Sequence, residues 1–109
     1  MKKLTLITCV LLMAGAVSLR AADAKAIWVK DCSKCHGEDG KGETKMGQKA
    51  GVKDLTDAKI QAEFKDDQAF KAIKEGIKDN EGKIKMKPAE GLSDDEIKAL
   101  VAQVRTFKK

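Results

Sequence analysis

At 109 residues the chain has room for one small domain and not for two. Charged residues make up 36% of it and the formal net charge is +5, but acids and bases are interspersed with no extended basic stripe, which excludes a nucleic-acid-binding footprint. Aromatic residues reach only 4%. A core built from side chains alone is therefore marginal, and a chain of this size calls for a staple such as a metal, a disulfide or another covalent constraint.

The amino terminus reads as an export signal. Met1-Lys2-Lys3 is a charged start, Leu4 to Leu19 is mostly apolar, and Ala22-Asp23-Ala24 has the small-x-small form of a cleavage site. Residues 1–24 are thus expected to be removed and residues 25–109 to form the mature domain, with cleavage after Ala21 as the nearby alternative. The apolar run is shorter than the roughly 20 residues that a spanning helix needs. Cys9 falls inside the signal after Thr8, not after the small residue of a lipoprotein site, and reads as apolar filler. Lys2, Lys3 and Arg20 against Asp23 account for +2 of the charge, leaving +3 on the mature chain.

From Ala24 to about Lys34 the residues favour a helix, with Trp28 one turn ahead of Cys32. This helix carries Cys32-Ser33-Lys34-Cys35-His36, the pattern of c-type haem attachment. The spacing has a chemical reason. Two intervening residues let one helical turn present both thiols to neighbouring vinyl groups on the porphyrin edge, and the next residue points beneath the ring. There His36, the chain's one histidine, supplies a proximal imidazole to iron. Competing readings fit less well. A thioredoxin-like pair expects a βαβ pattern that is absent here. Structural zinc needs four ligands, and no second cysteine pair or histidine completes the set. A plain disulfide leaves the adjoining histidine unexplained.

Gly37, Gly40 and Gly42 then open a loop that continues through Gly47 and Gly51. Asp54 to Phe64 is a candidate short helix. From Asp66 the spacing of Phe70, Ile73 and Ile77 makes one apolar helical stripe, with Asp66 or Asp67 near the N-cap and Gly76 near the stop. A lysine-rich loop follows, holding Met86 and the chain's one proline, Pro88. The last element is the clearest: Ser93-Asp94-Asp95-Glu96 is a capping box, and Ile97, Leu100, Val101, Val104 and Phe107 share one face. With no strand signal, the expected fold is all-α, three to five short helices around one covalently bound haem.

One histidine leaves the opposite face of the iron open. Met46 and Met86 are the methionines left after cleavage. Met86 sits far enough along for the chain to wrap to the distal face, and Pro88 biases Lys87 towards an extended conformation that helps a loop hold the thioether. Met46 lies close behind the motif, where a loop more naturally covers the proximal side. Met86 is therefore the expected sixth ligand. The competing role for it is a gap-filling core residue.

Trp28, the Cys32–Gly37 motif, Asp39-Gly40-Lys41-Gly42, Met86-Lys87-Pro88 and Leu92-Ser93-Asp94-Asp95-Glu96-Ile97 together resemble a small class I cytochrome c over essentially the whole mature chain. The resemblance implies the cytochrome c fold, with first and last helices crossing beside a mostly buried haem. It implies Cys32 and Cys35 as thioether sites, His36 as proximal ligand and Met86 as distal ligand, and haem attachment to exported protein in the bacterial periplasm. Two positions depart from the family pattern at the helix crossing: Ala24 stands where glycine is common and Gln103 where an aromatic is common. Trp28 or Phe107 is then expected to supply the aromatic contact.

With both axial positions filled by protein, the iron has no place for a substrate, so the expected role is that of a monomeric electron carrier and not an enzyme. Its partners would be redox proteins, acidic at the docking face if Lys78, Lys83, Lys85 and Lys87 rim the haem edge. An electron-accepting subunit of a dehydrogenase would have the same site. An open-site protein binding a gas or peroxide is the other alternative, and the chain lacks a second histidine or a tyrosine to serve it. Because haem would supply much of the core, Cys32→Ala combined with Cys35→Ala is expected to leave the chain largely unfolded. A native-like far-ultraviolet circular dichroism spectrum of that haem-free variant would contradict this expectation.

Overall fold

The computed structural model describes residues 21–109. Residues 1–20 of the expected signal segment, Cys9 included, lie outside the described residues.

An unbroken helical run opens the described chain: α1 (Ala21–Ile27), a π-helical turn (Trp28–Cys32) and α2 (Ser33–His36). After it come α3 (Lys45–Ala50), α4 (Ala58–Ala62), α5 (Asp66–Glu75), strands β1 (Ile77–Lys78) and β2 (Ile84–Met86), and α6 (Asp94–Thr106). The helical content matches the expectation, and three local differences have identifiable causes.

The glycine-rich loop contains a helix. Thr44 caps α3 by accepting a 2.9 Å hydrogen bond from the Gly47 N–H, and Gly51, at φ 72, ends the helix in the left-handed region. The segment expected as Asp54–Phe64 begins later. Asp54 is occupied in a turn with Thr56, and Asp57 is the residue that caps α4. The lysine-rich loop holds a two-stranded antiparallel hairpin in which Ile77 pairs with Met86. The Asp79 carboxylate builds its turn, accepting from the N–H groups of Glu81 and Lys83 at 2.9 Å each. Strands of two and three residues are too short to show a period of two. Ile77 consequently leaves the α5 stripe and lies exposed in β1.

α5 is capped at its start by backbone geometry at Lys65, whose N–H donates to Gln68 Oε1 at 2.8 Å, while Asp66 and Asp67 occupy the first turn. α6 has the expected reciprocal cap: Glu96 N–H donates to Ser93 Oγ, and Ser93 N–H to Glu96 Oε1. Its stripe of Ile97, Leu100, Val101 and Val104 is buried throughout. Ile97 and Leu100 are each 1% exposed, and such burial contributes about 1.5–3 kcal/mol per side chain. Trp28, Leu55 and Ile73 complete the cluster. α1 packs on α6, and Ala24 is buried at 2% exposure. The aromatic contact expected at this crossing is Trp28 on Phe107, with ring centroids 4.9 Å apart.

A polar knot ties α4 and α5 to α6. Gln61, 4% exposed, donates through Nε2 to the Leu55 and Val104 carbonyls at 2.6 and 2.8 Å. Arg105 donates to the Gln61 side chain, to the Gln61 and Phe64 carbonyls and to Asp66, and its guanidinium lies 4.3 Å from the Phe64 ring centroid. Gln61→Leu keeps the volume and strands these buried partners. Thermal unfolding of this variant is expected to show a loss of about 1–3 kcal/mol, a drop of roughly 5 °C or more in Tm.

Candidate functional site

Cys32, Cys35 and His36 lie on the unbroken run from the π-turn into α2. A π-turn inside an α-helix widens the backbone locally and is frequent at functional sites. Here it runs from Trp28 to Cys32. Trp28 faces inward at 3% exposure, and its indole N–H donates to the Gly37 carbonyl at 2.9 Å, pinning the turn that follows His36. Its ring lies 5.3 Å from the imidazole. Gly37, at φ 77, accepts what a side-chain-bearing residue would resist, and the reversed chain returns Gly42 N–H to the His36 carbonyl at 2.8 Å.

Thr44 and Gly47 fasten the motif from the other side. Thr44 Oγ1 donates towards the carbonyls of Lys34 and Cys35, at 2.6 and 3.0 Å. A Cβ on Gly47 would lie 2.0 Å from the Cys35 carbonyl oxygen, so the two backbones touch directly. From the sequence Gly47 reads only as a loop residue. A threonine ahead of a short polar run is a capping signal, but nothing local reveals that its hydroxyl reaches back ten residues.

Both cysteines are free thiols, half-buried. Burial, with a smaller contribution from the Asp31 charge, pushes the Cys32 thiol up to about 11. It is therefore protonated at neutral pH and a poor partner in thiol exchange. Burial also lowers the His36 imidazole below its ordinary value, keeping it in the neutral form that offers a lone pair to a metal. Its Nδ1 is buried with no hydrogen-bond partner, unlike an ordinary core histidine. Free thiols one turn apart beside an uncommitted neutral imidazole fit covalently attached haem. Among the described residues, no group of three or more His, Cys, Asp or Glu side chains is placed to hold a metal ion by itself.

Met86, at the end of β2, packs on the same buried cluster that Cys32 borders, and is itself half-buried. Met46 is 57% exposed on α3.

The family model for cytochrome c matches residues 21–108. The chain belongs to the cytochrome c family. Among solved structures, the KustC0563 c-type cytochrome is 37% identical, with a TM-score of 0.68 over 79% of this chain and 98% of that one. A point mutant of the same protein gives 37% identity and a TM-score of 0.66, over 79% and 99% of the two chains. No curated protein matches the chain. The family carries covalently attached haem c with its iron, and its members are haem electron carriers with redox partners. No helix among the described residues is long and apolar enough to cross a membrane.

The contact between Gly47 and Cys35 yields a prediction about maturation of this cytochrome. Gly47→Ala is expected to cut the yield of haem-bearing protein severely, whereas Gly51→Ala, with nothing within 4 Å of the added Cβ, retains it. Haem staining of the two variants, expressed side by side with their haem-free level measured by immunoblot, checks this.

Proposed function

We propose that this cytochrome is an exported carrier of single electrons, with Cys32 and Cys35 as the thioether sites and His36 and Met86 as the axial ligands. The observation that carries the reading is the half-buried imidazole of His36, whose buried Nδ1 has no hydrogen-bond partner, on the helical run that also presents two free cysteines. When bound, haem c supplies an iron that changes oxidation state by one electron. The residues of the chain determine how freely it does so. Trp28 and the backbone around Gly37 fix the imidazole, so little rearrangement accompanies the change. Met86 donates a neutral sulfur and, with an apolar surround, favours the reduced state relative to more donating ligands.

The hairpin carries exposed Lys78, Lys83 and Lys85, with Lys87 just beyond it. Glu81, 3.8 Å from Lys83, and Asp79 in the same turn dilute this positive patch without cancelling it. These lysines would steer an acidic redox partner, raising encounter rate more than lasting affinity.

Processing is best placed after Ala21 and not after Ala24. Ala24 is 2% exposed in α1, which packs on α6, and removing it would set a new charged amine at that crossing. The mature chain would then be residues 22–109, released into the periplasm.

The purified protein is expected to show a c-type spectrum insensitive to carbon monoxide, with the weak red methionine-to-iron band when oxidised. Met86→Ala should lose the band, admit carbon monoxide and lower the reduction potential. A wild-type protein that binds carbon monoxide rapidly would favour the open-site alternative. The mass of the exported protein, less one haem, should correspond to an N-terminus at Ala22, and a mass corresponding to Lys25 would refute the processing site. Electron-transfer rates to a physiological partner should fall as salt rises, and rates indifferent to salt would sink the steering role.

A further inference from the structure

We infer that Gly76 is a positioning residue for Met86: its missing side chain is the space that lets the Met86 backbone sit against the C-terminus of α5. The inference rests on the axial role proposed above for Met86.

Gly76 caps α5 with φ 76 and ψ −179, a conformation essentially reserved for glycine. A Cβ at this position would meet the Met86 carbonyl oxygen at 2.5 Å, Pro88 N at 2.9 Å and Pro88 Cδ at 3.0 Å. These are backbone and ring atoms, so none can swing aside as a flexible side chain would. The same stretch is held by pairing of Met86 with Ile77 and by a 2.8 Å hydrogen bond from Ala89 N–H to the Ile73 carbonyl. Ile73 is anchored in the core at 6% exposure. Residues 86–89 are thus fastened on both sides of Pro88, to β1 at Met86 and to α5 at Ala89, and an alanine at position 76 must push them outward or unwind the cap.

Gly82 provides the control. It lies in the turn of the same hairpin at φ 79, with nothing within 4 Å of an added Cβ. Gly82→Ala therefore imposes left-handed strain without the collision.

The test compares the holoprotein with Gly76→Ala, Gly82→Ala and Met86→Ala, reading the red band of the oxidised form and carbon monoxide binding by the reduced form. In Gly76→Ala the methionine-ligated fraction is expected to fall roughly tenfold or more, an effect of overpacking size, and carbon monoxide is expected to bind. Gly82→Ala should match the unsubstituted protein. A band retained in Gly76→Ala, or lost equally in both glycine variants, overturns the inference and leaves the axial reading standing. An unsubstituted protein that lacks the band and binds carbon monoxide overturns the axial reading, and this inference with it. Should Gly76→Ala yield no haem protein, amide exchange in the unsubstituted holoprotein decides. Ala89 N–H slowed roughly 100-fold or more against an open-loop amide supports the fastening, and free exchange overturns it.

Discussion

The indole of Trp28 touches both halves of the molecule. One face of its surroundings is the imidazole of His36, the other the ring of Phe107 beyond the end of α6, and its N–H is held by the Gly37 carbonyl. A buried indole needs a partner for its N–H, and here the partner is the carbonyl that closes the cofactor motif. The turn after His36 is thereby fixed by a residue that is itself fixed by the C-terminal helix. Local helix propensity across the motif could not do this, because a run with a π-turn and a four-residue final segment has little stability of its own.

Close backbone approach is the second device of the fold, and glycine makes it possible. Gly40 lies so near the Phe107 ring that a Cβ would come within 2.8 Å of it, and Gly47 meets the Cys35 carbonyl. The first contact seats an aromatic ring directly on backbone, and the second brings two backbones together. They also place the loop between α2 and α4 hard against the motif. Leu55 N–H, donating to the Gly40 carbonyl at 2.8 Å, closes that loop on itself.

The polar knot of Gln61 and Arg105 works on the far side of α6. Arg105 reaches four separate acceptors with a planar group whose donors are fixed in direction, a task for which lysine is unsuited. Gln61 satisfies the Leu55 carbonyl and adds a second donor to the Val104 carbonyl, which also accepts from the Phe107 N–H. These two residues orient α4 against α6, while Trp28 and the glycine contacts orient the motif.

The sequence by itself determined the helical class, the attachment motif, the capping box at Ser93 and the apolar stripe of α6, because each is written in a spacing of a few residues. Ile97, Leu100, Val101 and Val104 are buried as their period requires. Tertiary structure alone decided what depends on distant partners. The hydroxyl of Thr44 reaching the Cys35 carbonyl, the hairpin that moves Ile77 off its helix, Gly76 beneath Met86 and the burial of Gln61 all arise from long-range approach. A window of neighbouring residues records local periodicity and capping chemistry. It does not record which backbone will arrive within 3 Å of a glycine, since that is set by how whole elements pack.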